Sequence, residues 1–544
     1  MLLRASPAIR EVVLVRPPIW RPPVELDPDE RGVMRLIKRA KLFVFLREQR
    51  HEIFDEGFQL ELAEIYDDVD LGRPPVAPAR LALATLLQAY TGVSDDEAIE
   101  ATLMDRRWQL VLGCMDAKKA PFSKGTLVGF RKALIERDLD RRLVERTLEV
   151  ARNRGGFSSR RLRAALDSSP LWGAGRVEDT YNLLGHALKK ALGVIASRQG
   201  RGLAEVAAEA GAELLTSATS LKAALDLDWD DPQERKLALV GVLDALEAVE
   251  AYLSEDELPV PEPEASAEIR IARRVREQDV LPAEEAAGGL PALRRGVARE
   301  RIVSVEDPQM RHGRKSRSRR FEGYKRHVLR DLDTGLVRAV GITPANAPEA
   351  SVTGSIAEDL SNQPDAEFGE LHIDRAYLSS ELVRGRPEQL EVYCKAWPVR
   401  NGGRFPKTEF ALDWEVGSMR CPAGVVMPFE VGGVVRFPKK VCAACPLRER
   451  CTKSRTGGRS VSVHPDERLL SELRERQGTQ EGRKKLRERV VVEHSLAHIV
   501  HWQGGRARYK GVRKNLFDLR RSAVVHNLHV IARTMPDEQR AAAA

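Results

Sequence analysis

The run Glu370-Leu371-His372-Ile373-Asp374-Arg375-Ala376-Tyr377 constrains this chain more than any other stretch. Leu371, Ile373 and their apolar neighbours predict a short buried strand that runs out at Asp374, with Leu378 to Arg384 as the first turns of a helix. In an open α/β sheet, a carboxylate at the carboxyl end of a strand faces the crevice where ligands bind. Asp is also a common turn residue, so the position gains weight only from company. Arg161-Leu162-Arg163-Ala164-Ala165-Leu166-Asp167-Ser168-Ser169-Pro170 repeats the pattern, predicting a short strand that ends in Asp167 and a turn after it. A third carboxylate, Glu493, lies in a helical run from Arg483 to Trp502, beside an apolar stripe of Val492, Leu496, Ile499 and Val500. Arg489 lies four residues before Glu493, on the same face.

The chain around these acids changes character several times. At 544 residues it exceeds one compact core. Residues 1–30 are Pro-rich and predict a flexible arm. Residues 31–155 predict a helical domain for DNA binding or dimerisation, with Ser94, Ser123 and Thr126 as helix starts. Residues 181–300 predict a helical insertion with a Pro-rich linker at 259–264. Phe321 to Arg330 and Leu336 to Thr343, joined by Asp331-Leu332-Asp333-Thr334-Gly335, predict a β-hairpin. Residues 393–465 form a Gly- and Pro-rich, Cys-containing insertion of short strands. This leaves 156–180, 301–392 and 466–536 as one discontinuous α/β core and 537–544 as a disordered tail; the chain as a whole is α+β.

Charge narrows the partner. The net charge is +8 and the pI about 9.1, an excess that favours a polyanion. It is also clustered: Arg311 to Arg326 holds eight Lys or Arg against one acid, and Arg506, Arg508, Lys510, Arg513 and Lys514 surround Tyr509. No apolar run of transmembrane length occurs. Arg4, Arg10 and Glu11 interrupt the start where a signal peptide needs an apolar core. The expectation is a cytoplasmic protein, nucleoid-associated when bound to DNA. Three carboxylates sharing a pocket repel unless a cation is present, and hard oxygen donors favour Mg²⁺ or Mn²⁺. Two such ions about 3.5–4 Å apart drive in-line displacement at phosphorus.

Several ordered stretches carry a family resemblance. Leu166-Asp167-Ser168-Ser169-Pro170 with Gly173 to Leu184, Asp307-Pro308 with Arg311-His312-Gly313-Arg314-Lys315, and Phe321-Glu322-Gly323-Tyr324-Lys325 are similar to bacterial insertion-sequence transposases of the DDE type. So are His372-Ile373-Asp374-Arg375-Ala376-Tyr377, Arg489-Val490-Val491-Val492-Glu493 and Arg506-Ala507-Arg508-Tyr509-Lys510-Gly511. The resemblance implies an RNase H-like mixed sheet with a helical N-terminal domain. It implies an acidic triad of Asp167, Asp374 and Glu493 holding two metals, with Arg489 contacting phosphate or orienting Glu493. The implied activity is cleavage of transposon ends and joining of their 3′-OH to target DNA. The implied partner is double-stranded DNA (terminal inverted repeats and target), synapsed by a homodimer. Arg314, Lys315, Lys325, Arg506, Arg508, Tyr509, Lys510, Arg513 and Lys514 are the candidate DNA contacts. The family has Lys or Arg seven positions after the Glu, where this chain has Val500; Arg506 or Arg508 is the expected substitute. That departure keeps open an inactive, DNA-binding remnant of the same fold.

Two further constellations stand apart. Cys421, Cys442, Cys445 and Cys451 fit a structural zinc site, or four reduced thiols packed as small hydrophobes. His494, His498 and His501 share a helix face and would suit a histidine-zinc hydrolase, although Glu493 precedes the first His instead of following it.

Overall fold

The computed structural model describes residues 16–66, 74–155, 161–219, 221–254, 263–286, 288–316, 318–364 and 366–534. Residues 1–15 of the expected arm and the expected tail lie outside them. From residue 16 onward the arm is not loose. The Trp20 N–H donates to Gln59 Oε1 (2.7 Å) and Arg50 and Arg80 lie over the Trp20 ring, so an aromatic anchor overrides the Pro-rich composition.

Among the described residues, eight helices between Pro28 and Asn153 form the N-terminal part, among them α1 (Pro78–Thr91) and α2 (Leu139–Asn153). Asp27 and Ser94 close full capping boxes with Glu30 and Glu97. The core sheet opens with β1 (Leu162–Trp172) and is interrupted by a helical segment beginning with α3 (Thr180–Gln199). That segment packs on its own cluster, which includes Leu188, Leu192, Val242, Leu246 and Val275. The sheet resumes with β2 (Arg311–Arg314), β3 (Arg320–Asp331) and β4 (Val337–Pro344); α4 (Thr353–Ser361), β5 (Phe368–Ile373) and β6 (Glu391–Tyr393) follow. After the Cys-containing module come α5 (Gln480–Glu488), α6 (Val491–Gln503) and α7 (Val512–Arg533).

β1 pairs antiparallel with β3 and parallel with β5, and β6 extends the sheet parallel to β5; β2 and β4 share the far edge of β3. This is the RNase H-like mixed sheet. One face carries Leu162, Ala164, Leu166, Leu371 and Ile373 against Ile356 and Leu360 of α4. The other carries Leu171, Val328 and Val340 against Leu496 and Ile499 of α6 and Leu519 and Ala523 of α7. At one end β1 and β3 touch so closely that a Cβ on Gly323 (φ +148°) would lie 2.3 Å from the Leu171 carbonyl oxygen, a place only glycine fills.

Three local expectations change. β1 does not end at Asp167; it runs on through Ser168-Ser169-Pro170 to Trp172, because β3 keeps pairing with it as far as Gly323. Beyond Leu166 its other side has no strand partner, the edge setting in which a strand Pro is tolerated. After Asp374 comes only a 3₁₀ turn (Arg375–Tyr377) and a four-residue helix (Glu381–Arg384), which Gly385 and Pro387 stop. The run from Arg483 to Trp502 is two helices, not one. At the joint, Val490, Val492 and Glu493 donate to carbonyls three residues back, the tightening of a 3₁₀ turn.

α7 closes the molecule. Its Phe517, Val524, Leu528 and Ile531 enter the core of the N-terminal helices. On α7 itself, the rings of buried His526 and half-buried His529 lie near His498 and Trp502, and His327 sits inside the sheet between Tyr377 and Thr343. Burial lowers His526 and His529 to about 4 and His327 to about 3. These groups stay neutral in the fold, whereas the unfolded chain takes up protons below about pH 6.5. Their stability contribution is therefore complete above pH 6.5 and drains as pH falls toward 4, by up to about 1.4 kcal/mol per pH unit for each group. Denaturant titrations at a series of pH values should show this loss, and His529→Gln should flatten its slope.

Candidate active site

Alternation along β1 sets the first acid. Leu162, Ala164 and Leu166 face α4, so Asp167 faces the opposite way, toward α6. Pairing of β1 with β5 stops at Leu166 and Ile373, so the next residues of both strands, Asp167 and Asp374, emerge together. Tyr377 fastens the turn after Asp374, since its hydroxyl lies 2.8 Å from His327 Nδ1 on β3. The 3₁₀ joint between α5 and α6 brings Arg489 and Glu493 down on the same point. Asp167, Asp374, Glu493 and Arg489 line one cleft of about 490 Å³, with Arg314, Lys315 and Lys325 at its edge.

Electrostatically the cleft is balanced internally. Arg489 donates to Asp167 Oδ2 and its other terminal nitrogen lies 3.8 Å from Glu493. Burial pushes the Asp167 carboxyl above its usual range; Arg489 and the Ser168 N–H draw it back, and the neighbouring Asp374 opposes them. A half-buried carboxylate whose charged form is disfavoured by burial and favoured by a neighbouring cation is a donor suited to a hard divalent ion. The oxygens of the three acids do not gather within 4.8 Å of one another; they face one another across the cleft with Arg489 among them.

Around the acids lie residues that no motif singled out. Glu349, from the turn before α4, accepts from Ser168 Oγ (3.0 Å) and lies 3.7 Å from Lys325 Nζ. On the same sheet face, Glu370 binds Arg163 (3.0 Å), Lys485 (2.6 Å) and His372 (3.0 Å), while Glu488 binds Arg163. These bonds bring Glu370 down to about 2 against the opposing effect of its burial. They clamp α5 onto β1 and β5 and so fix where Arg489 begins. The only period-two signal for the clamp was Arg163 and Glu370 on the same face as the two aspartates.

Other expected contacts go elsewhere. Arg513 is bound to Asp138, Asp140 and the Ile135 carbonyl, and Lys510 to Glu306, so the basic tail mainly welds α7 and its approach to the rest of the fold. Arg506 donates to the Gly173 carbonyl (3.0 Å), Arg508 to the Trp502 carbonyl (3.3 Å), and neither lines the cleft. They do not replace the cation missing at Val500, which does line it; Lys325, Arg314 and Lys315 approach instead. Tyr509 packs on Phe517 and Arg521, and Lys514 is exposed outside the cleft. His494, His498 and His501 do not converge: among the described residues the one set of potential ligand atoms within mutual reach is Glu370, His372 and Glu488, already held by Arg163 and Lys485.

Cys421, Cys442, Cys445 and Cys451 line one small apolar cavity with Phe405, Phe437 and Val425; none is in a disulfide, and no three of their sulfurs lie within 4.8 Å of one another. Burial raises the Cys451 thiol, Arg459 opposes it, and the other three cysteines add to the rise.

Comparison with known families decides the affiliation. A family model described as transposase DDE domain matches residues 420–532, and one described as transposase domain (DUF772) matches residues 37–133. Both matches support an insertion-sequence DDE transposase. No curated protein and no solved structure matches it. The first match spans Arg489 and Glu493 and the whole cysteine set; the second covers helices of the N-terminal part. The two matched domains support a DNA transposase, and no described helix is long and apolar enough to cross a membrane.

The clamp yields a prediction. Glu370→Ala should leave Arg163 and Lys485 without their shared carboxylate and destabilise the fold by about 1–3 kcal/mol. Amide exchange should quicken in α5 more than in α4; unchanged protection of α5 would show that the clamp does not hold that helix.

Proposed function

We propose that this transposase cuts the ends of its element and joins the freed 3′-OH to target DNA at Asp167, Asp374 and Glu493. The observation that supports this most is the meeting of these acids and Arg489 in one cleft edged by cations. The three carboxylates would hold Mg²⁺ or Mn²⁺, two ions by the family pattern. Such ions, when bound, activate the attacking oxygen and stabilise the leaving one. Arg314, Lys315 and Lys325 hold backbone phosphates and set the strand's position. Arg489, no longer needed to neutralise Asp167 once a cation is bound, turns its fork to a phosphate oxygen.

In the first step a water oxygen bonds to phosphorus as the bond to the 3′ oxygen breaks; the water gives up a proton and the leaving 3′ oxygen takes one. In the second, the 3′-OH oxygen bonds to a target phosphorus and a target 3′-OH leaves. In this second step one phosphodiester forms as one breaks, so the transfer needs no external energy source. Two protomers, each bringing one end, would synapse the pair. Asp167→Asn should abolish Mg²⁺-dependent nicking and strand transfer while end binding persists. Arg489→Lys, which keeps the charge and loses the fork, should slow nicking by about tenfold or more, equivalent to about 1.4 kcal/mol.

Val500 at the cleft favours a second reading, a binding-competent remnant. Wild-type protein that binds its ends yet cuts in neither Mg²⁺ nor Mn²⁺ would establish it. The cysteine set we assign to a structural zinc ion. Purified protein should carry one zinc per chain, lost in Cys445→Ser, and chelation should unfold residues 393–465 ahead of the core. A chain free of zinc with an unchanged melt would return the four thiols to plain packing.

A further inference from the structure

A second cleft, of about 410 Å³, adjoins the first and shares Asp374 and Arg489 with it, but none of Arg314, Lys315 and Lys325. The two differ in charge. The first pairs four acids (Asp167, Glu349, Asp374, Glu493) with four bases (Arg314, Lys315, Lys325, Arg489). The second sets Arg375, Lys395, Arg483, Arg487 and Arg489 against Asp374 alone. Among the described residues Arg375, Lys395 and Arg487 have no carboxylate partner, and Arg483 donates only to the carbonyls of Gln477 and Gly478. Like charges held together in a concavity repel, and the surplus is relieved by an anion. The cleft is poorly suited to a stacked base. Its one aromatic ring, Tyr393, already stacks on His372 with centroids 4.8 Å apart and donates its hydroxyl to Glu391 (2.7 Å).

We propose that this second cleft is a phosphate subsite, holding the backbone of the cut strand beyond the scissile bond. Three elements build it: the turn after β5, the residues just past β6, and α5. A strand entering over Arg314, Lys315 and Lys325 crosses the acids and leaves across Lys395 and Arg487. Its phosphates are thereby fixed on both sides of the reacting one. The assignment rests on the acid cleft being the place of strand cutting.

The test uses the full-length protein and a duplex carrying one terminal repeat of the element, without divalent metal so that nothing is cut. Single neutral methylphosphonates replace successive phosphates on either side of the cleavage position. Wild-type affinity should fall for substitutions on both sides. Lys395→Gln/Arg487→Gln, both exposed positions, should lose the sensitivity on one side only, and the slope of log K against log salt should become shallower by about 0.9 for each contact removed. Lys325→Gln should lose the sensitivity on the other side. A double variant that keeps the wild-type methylphosphonate profile and salt slope overturns the subsite. Wild-type nicking in Mg²⁺ is scored separately. If nicking fails while the one-sided loss is seen, the cleavage reading falls and the second cleft stands as a backbone-binding groove.

Discussion

Everything at the active cleft depends on a step in the sheet. β1 has a neighbour on each side up to Leu166, but its parallel partner stops at Ile373 while its antiparallel partner continues to Gly323. The step exposes Asp167 mid-strand with Asp374 at the end of the strand beside it. Neither side chain has an obligatory place in the ladder. The backbone that carries them is nonetheless rigid, because β1 remains bonded to β3 on one side. A pair of carboxylates mounted this way is held apart from water on the sheet side and open to a ligand on the other.

Arg489 converts that step into a site. The joint between α5 and α6 is tight, α5 is clamped through Lys485 and Glu488, and the guanidinium lands on Asp167. Without it the half-buried carboxylate would be driven toward its neutral form, a poorer metal donor. The same cation thus ties Asp167 to Glu493 across the cleft.

The scaffold is welded at a distance from this chemistry. Asn527 of α7 accepts from the Val337 N–H, donates to the Val337 carbonyl and reaches Thr147 of α2. One amide therefore closes the sheet edge and joins it to the N-terminal helices. Buried Arg520 binds Asp140 and Asp359 in the interior and the partly exposed Asp138, and Arg521 binds Asp518, both of these buried. Much of the positive charge in the C-terminal sequence is spent on this joint, although in one dimension it has the composition of a nucleic-acid surface.

Local pattern alone determined a good deal: the hairpin of β3 and β4 from its alternation and Asp-Gly turn, the capped helices from Ser94 and Ser123, the apolar stripe of α6, and the strand leading to Asp374. These follow from nearest-neighbour sterics and periodicity, which a linear sequence records. Tertiary structure decided what depends on partners far along the chain. Pro170 lies in a strand because β3 outlasts β5. Arg513 is structural because Asp138 and Asp140 fold against it, and Val500 shares its cleft with Lys325 and not with Arg506. The Glu370 clamp and the unbalanced cleft beside Asp374 arise from segments far apart along the chain, so their charges acquire meaning only when the sheet sets them side by side.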